Sequence, residues 1–250
     1  MKARERHHLQ KNELAHTLAS AREFVELRRK VIGATLVVVV LVALGLGGFF
    51  AVRKQTEARA HDLLAQGMVV RDAHVVPPVE KKAEGDTPAA TTQQEGTYPT
   101  ERAKLDAAIP KLKAAADAYP NTTAGITARY HLAGAYAALG RHQEALQAYD
   151  DVIARDGKGL YGRMARLGKA DEQARNGQYD AAIAAFKELS ESKDSELPVD
   201  AILMQLGRTY TAAGKKDEAQ KTFTKIVDEH PESPYSQEAR RQLDLLKGNV

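Results

Sequence analysis

The chain has 250 residues, of which 43% are hydrophobic and 28% charged, and its formal net charge at pH 7 is +3. A charge this small and this mixed gives no argument for a nucleic-acid partner, which would call for clustered basic residues. Cysteine is absent, which excludes disulfides, cysteine-ligated metals and thiol catalysis. It also excludes a lipid anchor carried on an N-terminal cysteine.

Residues 1–30 form a polar tail that the pattern predicts to be helical and amphipathic. Four apolar side chains follow at helical spacing after a candidate N-cap, Asn12: Leu14, Leu18, Ala21 and Val25. This apolar stripe would lie on a membrane surface or meet a partner. A short helical tail steadied by the bilayer is an equally weighted alternative.

Residues 31–52 make an uncharged stretch of 22 residues. As a helix it would span roughly 33 Å, enough for a hydrocarbon core of about 30 Å. It is longer than the apolar region of a signal peptide, and the chain turns basic directly after it. We therefore interpret it as an uncleaved transmembrane helix rather than a signal peptide or a buried core helix. Ala43, Gly47 and Ala51 form a ridge of small residues on which a second membrane helix could pack.

The basic residues around this stretch predict its orientation. Eight precede it (Lys2, Arg4, Arg6, Lys11, Arg22, Arg28, Arg29, Lys30), and four lie in the first twenty residues after it (Arg53, Lys54, Arg59, Arg71). Because Lys and Arg are enriched on the cytoplasmic side, the bias favours a cytoplasmic tail and an exported C-terminal part.

Three segments follow the apolar stretch. Residues 53–76 contain no breaker except Gly67, so we expect the membrane helix to continue outwards as a helical extension. Residues 77–99 are rich in Pro, Thr, Gly, Glu and Gln and have almost no apolar period, which is typical of a mobile linker or insertion. Residues 100–250 alternate amphipathic helices with turns at Gly or Pro.

A repeat with an interval of 37 residues organises this last part, as in "GRHQEALQAYDDV", "GQYDAAIAAFKEL" and "GKKDEAQKTFTKI". The glycine suits a helix end that needs positive φ, the alanine lets two helices approach, and the large residue fills the layer between them. The columns in register are Gly140, Gly177, Gly214; Ala108, Ala145, Ala182, Ala219; Leu112, Tyr149, Phe186, Phe223; and Ala115, Val152, Leu189, Ile226. They predict stacked helical hairpins.

These residues resemble tetratricopeptide repeats, most clearly in "LGRTYTAAGKKDEAQKTFTKIVDEHP". Residues 126–236 carry the pattern directly, although Lys169, Ala170 and Gln173 depart from it in the middle unit. Residues 109–120 resemble the second helix of a first unit, and residues 57–74 are a candidate for its first helix. A C-terminal capping helix fits residues 233–248. The predicted fold class is all-α, with a single transmembrane helix followed by a tetratricopeptide-like α-solenoid.

A membrane span followed by such repeats also resembles the single-pass ancillary subunits of the bacterial Sec translocon. That resemblance implies an inner-membrane adaptor with periplasmic repeats, whose partners are translocon components, membrane-bound chaperones or exported chains. The 30-residue tail and the 77–99 insertion depart from the pattern of that group. A scaffold for cell-wall or outer-membrane machinery is the alternative.

The partner-binding face is predicted from the register. A solenoid presents the first helix of each hairpin along a concave face. We expect a groove with an apolar floor that holds a segment of a protein partner. Side chains that merely touch the next hairpin are the equally weighted alternative. The candidate residues are Tyr130, Leu167 and Met204 in one column and Asp171 and Arg208 in another.

An enzyme is the least favoured function. The histidines lie at spacings that suit no shared metal site, and the sequence has neither a Gly-x-Ser-x-Gly elbow nor a Gly-rich phosphate loop. We therefore predict no catalytic residue, no metal, no cofactor and no small-molecule substrate.

Overall fold

A computed structural model describes residues 2–80, 91–192 and 197–248. Side chains are described from residue 28 onwards within these ranges, apart from residues 32, 79, 80, 91 and 92. The chain divides into two compact units, Met1–Gln55 and Thr56–Val250.

The first unit consists of most of one long helix, α1 (Lys2–Arg71). Its described large apolar side chains from Val31 to Val52, which leave out residue 32, are exposed, Leu44 by 68%. The hydroxyl of Thr35 donates to the carbonyl of Val31 at 2.9 Å, which satisfies a polar group inside the apolar stretch. By length and composition, Arg28–Arg71 is the one candidate membrane span among the described residues, with a mean hydropathy of 2.7 in its apolar window.

The predicted stripe of the tail falls on Leu14, Leu18, Ala21 and Val25. Their backbone is helical, but their side chains lie outside the described residues.

The second unit is built from helices in sequence order, starting with the last turns of α1. Two short strands, β1 (Val79–Glu80) and β2 (Thr91–Thr92), pair antiparallel directly after α1. The helices that follow are α2 (Glu101–Ala118), α3 (Thr123–Ala138), α4 (His142–Asp156), α5 (Leu160–Arg175), α6 (Tyr179–Glu191), α7 (Val199–Ala212), α8 (Lys216–Glu229) and α9 (Ser236–Lys247). The predicted fold class, a helical solenoid, is confirmed.

The 37-residue columns are the core of these hairpins, as predicted. Gly140, Gly177 and Gly214 adopt φ of 71°, 76° and 73°, a left-handed conformation that glycine reaches without strain. Each ends a first helix (α3, α5, α7) and lets the second helix (α4, α6, α8) turn back. The three other columns are buried without exception: Ala108, Ala145, Ala182, Ala219; Leu112, Tyr149, Phe186, Phe223; and Ala115, Val152, Leu189, Ile226.

The first helices lie close to one another along one side of the stack. Besides the contacts between helices adjacent in sequence, α3 contacts α5 and α5 contacts α7. Within the described residues no comparable contact joins α4 to α6 or α6 to α8. The stack therefore bends towards its first helices, which line its inner side.

The end of α1 packs against α2 as a first helix packs against its second helix. Ala60 is fully buried, and a Cβ built on Gly67 would lie 2.7 Å from the Leu112 side chain. A Cβ built on Gly207 would lie 2.5 Å from Phe223, which shares a column with Leu112. The same close approach of a glycine therefore recurs at both ends of the stack.

The chain between α1 and α2 is tied at its two ends. The backbone N–H of Val76 donates to the carbonyl of Tyr98 at 2.9 Å, and the N–H of Tyr98 donates to that of His74 at 3.0 Å. Residues 81–90 lie outside the described residues. The mobile linker expected over residues 77–99 stays a prediction.

Candidate functional site

The apolar column of the predicted face packs inside the stack. The ring centroid of Tyr130 on α3 lies 5.5 Å from that of Tyr161 on α5 and 6.2 Å from that of Tyr149. Leu167 is partly buried against the C-terminal core, and Met204 is 1% exposed.

Met204 is therefore not a surface residue, and its assignment to a binding face is corrected. It lies on α7 and belongs to the same buried cluster as Phe186 of α6 and Phe223 of α8. Tyr130 and Leu167 are partly exposed, and their place on a binding face stays a prediction.

The polar column opens onto a groove between α5 and α7, which we call the first-helix groove. Its volume is about 320 Å³, near the lower end of ligand pockets, which run from about 300 to 1,000 Å³. Its lining residues are Asp171, Ala174, Arg175, Tyr179, Gln205, Arg208, Thr209 and Ala212. Two of the five predicted residues, Asp171 and Arg208, thus meet in one groove.

A hydrogen-bonded chain crosses this groove. The Gln205 amide donates to Oδ1 of Asp171 at 2.9 Å, and Nη1 of Arg208 donates to Oε1 of Gln205 at 3.3 Å. Asp171 is half-buried, and this burial raises the pKa of its carboxyl, although the nearby Arg175 and Arg208 act in the opposite direction. The groove therefore holds an acidic group that is poorly solvated.

Arg175 and Arg208 are the accessible charges of the groove. Both side chains are exposed. Within the described residues no Asp or Glu oxygen lies within 4 Å of either guanidinium. By contrast, Arg129 on α3 is held by Asp151 at 2.8 Å and by Asp117 at 3.0 Å. The two groove arginines therefore keep donors available for a ligand.

A second basic group lies on α1, next to α3. Nη1 of Arg71 lies 2.6 Å from Nδ1 of His131. Burial, reinforced by the Arg71 charge, lowers the pKa of His131 to about 4. The imidazole is thus neutral at pH 7 and accepts from the guanidinium. Farther along α3, a Cβ added to Gly134 would meet nothing within 4 Å, so the surface there is open.

Sequence reasoning missed Arg175 and Gln205, although a signal for both was present. Arg175 follows Asp171 by four residues and Gln205 precedes Arg208 by three, so each lies on the helical face of a residue that was predicted. The 37-residue register indicates a single column of equivalent residues, whereas Arg175 and Gln205 are indicated only by the helical spacing within each first helix.

The buried carboxylate of Glu172 has a structural explanation. Glu172 on α5 is 1% exposed, and its carboxylate is paired with the His142 imidazole on α4. In the described part of the chain, no three His, Asp or Glu side chains stand together as metal ligands would.

The small-residue ridge of α1 is exposed along the helix. Ala43, Gly47 and Ala51 are all exposed, and a Cβ on Gly47 would contact nothing within 4 Å in the described residues. The second membrane helix expected there stays a prediction.

Comparisons with known proteins agree with this architecture. Two family models, both described as tetratricopeptide repeat, match residues 101–159 and residues 173–243. The chain therefore carries tetratricopeptide repeats. The residues between the matches, 160–172, include Lys169 and Ala170 of the atypical middle unit. No curated protein matches the chain.

Solved structures are similar at low identity. The nearly identical TPR-like repeats of a Podosopora anserina protein described as a kinesin light chain share 20% identity, with 58% of this chain and 80% of that chain covered and a TM-score of 0.50. MamA from Desulfovibrio magneticus RS-1 shares 20%, with 59% and 77% covered and a TM-score of 0.49. A tetratricopeptide repeat protein from Parabacteroides merdae shares 20%, with 58% and 55% covered and a TM-score of 0.48. At this identity the likeness concerns the fold alone.

Proposed function

We propose that the chain is a membrane-anchored adaptor that holds a protein partner on the first-helix groove of its repeats. The observation that carries this proposal is the groove itself, where Arg175 and Arg208 keep free donors around a volume of about 320 Å³. Tetratricopeptide repeats serve generally as protein-binding scaffolds, and stacked hairpins create extended inner surfaces for that purpose.

The anchor is the apolar stretch of α1. Its side chains are exposed and uncharged over a length that matches a bilayer core, which supports a transmembrane assignment. The excess of basic residues before it supports a cytoplasmic tail and periplasmic repeats in a bacterial inner membrane.

The membrane machinery that the adaptor serves is the protein-export translocon. An inner-membrane span followed by exported repeats suits a subunit that holds translocon components, membrane-bound chaperones or exported chains. A scaffold for cell-wall or outer-membrane machinery is the competing function.

Co-purification of the full chain in mild detergent tests both the groove and the machine. The chain contains no tryptophan, so Ala212→Trp fills the groove with a bulky ring and reports on it by fluorescence. Ala184→Trp, at an exposed position of α6 away from the groove, is the matched control. We expect partners bound by the wild type and by Ala184→Trp to be lost with Ala212→Trp.

The identity of the partners decides between the functions. Translocon components or membrane-bound chaperones support the export role, whereas wall synthases or outer-membrane assembly factors support the alternative scaffold. Retention of every partner by Ala212→Trp would exclude the groove as the binding surface.

A further inference from the structure

The outer side of the stack carries a groove between α4 and α6, which we call the second-helix groove. Its volume is about 360 Å³, and side chains of α4, α5 and α6 line it. We propose that this groove holds an amphipathic helix of a partner protein, whose apolar side chains fill it and whose basic side chain pairs with Glu188. The site is separate from the first-helix groove, so the inference goes beyond the proposed function.

The second-helix groove lies where the middle repeat departs from its neighbours. Lys169 and Gln173 line it from α5, and both are partly exposed. Their equivalents one repeat earlier and one repeat later are buried: Leu132 and Tyr136, and Leu206 and Tyr210. The middle repeat therefore lacks the leucine and the tyrosine that fill this position in its neighbours.

The equivalent groove one repeat earlier is smaller and is crossed by an ion network. Its volume is about 210 Å³. Arg129 ties α2 to α4 there, through Asp117 at 3.0 Å and Asp151 at 2.8 Å. The equivalent of Arg129 in the second-helix groove is Arg166, whose Nη1 donates to the carbonyl of Gly157 at 2.6 Å. Among the described residues, no such arginine ties α4 to α6 across the second-helix groove.

Glu188 is the free charge of this groove. It stands 37 residues after Asp151 and is exposed. Within the described residues, no Lys, Arg or His nitrogen lies within 4 Å of its carboxylate. Lys169 and Asp150 pair with each other at 2.5 Å, and Arg166 is held at the C-terminal end of α4, where the helix dipole is negative. The unpaired carboxylate therefore favours a ligand with a basic side chain.

The rest of the groove surface favours an apolar helical ligand. Its apolar lining comes from α4 and α6: Ile153, Ala181, Ala184, Ala185 and Leu189. The neighbouring repeats fill this position with a leucine and a tyrosine four residues apart, a spacing that puts both on one face of a helix. A partner helix buries such a face when it lies in a groove. A basic residue on the same face then pairs with Glu188.

Peptide binding to the detergent-solubilised full chain, measured by fluorescence anisotropy, tests the proposal. The probe is a fluorescein-labelled peptide of Ala and Gln that carries Leu, Tyr and Lys at successive four-residue spacings. One control peptide has Ala in place of Leu and Tyr, and another has Glu in place of Lys. We expect both controls to bind about tenfold more weakly than the probe, and the affinity of the probe to fall as salt increases. Empty micelles give the background for each peptide.

Two variants close the second-helix groove. Lys169→Leu with Gln173→Tyr restores the residues of the neighbouring repeats, so it should weaken binding of the probe about tenfold or more. It should also raise the unfolding midpoint by about 2–4 °C, because it buries additional apolar surface. Ala184→Trp fills the groove from α6 and should weaken binding as strongly, even if the double variant fails to fold. Ala212→Trp, in the first-helix groove, should leave binding of the probe unchanged.

Glu188→Gln tests the charge of the groove. It should weaken binding of the probe about threefold, because an ion pair at an exposed position is lost. Glu232→Gln, at an exposed glutamate between α8 and α9, is the matched control and should change nothing.

Three results would overturn the site: no binding of the probe to the wild type, equal binding of the probe and the peptide without Leu and Tyr, or equal binding of the probe to the wild type and to Ala184→Trp. Undiminished binding to Glu188→Gln would overturn the role of that carboxylate. A wild-type dimer that Ala184→Trp converts to a monomer in mass photometry would assign the groove to a second copy of the chain instead. The first-helix groove fails separately, if Ala212→Trp retains every native partner.

Discussion

The glycines within the first helices are of two kinds. Some allow a neighbouring side chain to approach the helix closely, and others face open space. A Cβ on Gly207 would lie 2.5 Å from the Phe223 ring, which cannot move away because the ring is fully buried. A Cβ on Gly134 would meet nothing within 4 Å. The same residue type therefore has a packing role on α7 and none on α3.

This difference predicts stability changes of opposite sign. Gly207→Ala should destabilise the fold by about 1–3 kcal/mol, the usual cost of overpacking a filled core. Gly134→Ala should stabilise it by about 0.5–1 kcal/mol, since alanine loses less conformational freedom in a helix. Urea unfolding of the full chain in detergent, followed by circular dichroism, measures both. A loss of stability in both variants would contradict the role assigned to Gly134.

At the residue scale, sequence predicted the packing columns, whereas the binding residues stay a prediction. The burial of the columns that contain Ala182 and Phe186 follows from a 37-residue phrase that occurs three times in the sequence. Burial of Met204 did not follow, because register gives a position within a repeat and not the neighbours that enclose it. Arg175 could be predicted only by combining the spacing along one helix with the register across the repeats.

At the scale of the element, α1 serves two units of the molecule. Its last turns contribute the buried Ala60 and the close approach of Gly67 to Leu112. Phe223 follows Gly207 by sixteen positions, whereas Leu112 follows Gly67 by forty-five. We infer that the end of α1 is the first helix of the first repeat, with twenty-nine additional residues inserted in its hairpin turn.

Excision of the insertion tests this inference. Residues 74–104 are replaced by the Gly-Lys dipeptide that stands at Gly214 and Lys215 in the last hairpin, which restores the sixteen-residue spacing. Because the insertion lies in a turn, we expect the helical content and the unfolding midpoint of the full chain to stay close to the wild-type values. Circular dichroism and thermal unfolding measure them.

The same excision with Gly67→Leu is the control and should fail to fold, because a leucine cannot fit where a Cβ already lies 2.7 Å from Leu112. Unfolding of the excised chain alone would show that the insertion is part of the core. Sequence could suggest residues 57–74 as this helix but could not establish it, since the partner element lies beyond a segment without periodic pattern.

At the scale of the whole molecule, the natural absence of cysteine makes orientation directly measurable. Gln10→Cys places a single thiol in the tail, and Asp217→Cys places one on the exposed side of α8. A membrane-impermeant maleimide added to bacterial cells with a permeabilised outer membrane should label Asp217→Cys. Gln10→Cys should react only after lysis, because the basic residues before the span favour a cytoplasmic tail.

Labelling in the reverse pattern would place the repeats in the cytoplasm and exclude an export role in the periplasm. Labelling of both sites in unlysed cells would contradict a membrane-spanning α1. The sequence could predict a span from its length and apolar character, but the side of the repeats depends on a small margin of charge near the membrane.

The contacts between helices that follow one another in sequence also determine how the repeats respond to mechanical load. Among the described residues, each hairpin packs on its neighbours in the stack, so tension on the C-terminus should detach α9 first and then one hairpin at a time. Every hairpin that opens would release a contour of about 37 residues, roughly 130 Å when extended. Such a stack yields in steps, and a partner bound near the membrane-proximal repeats would be the last to be released.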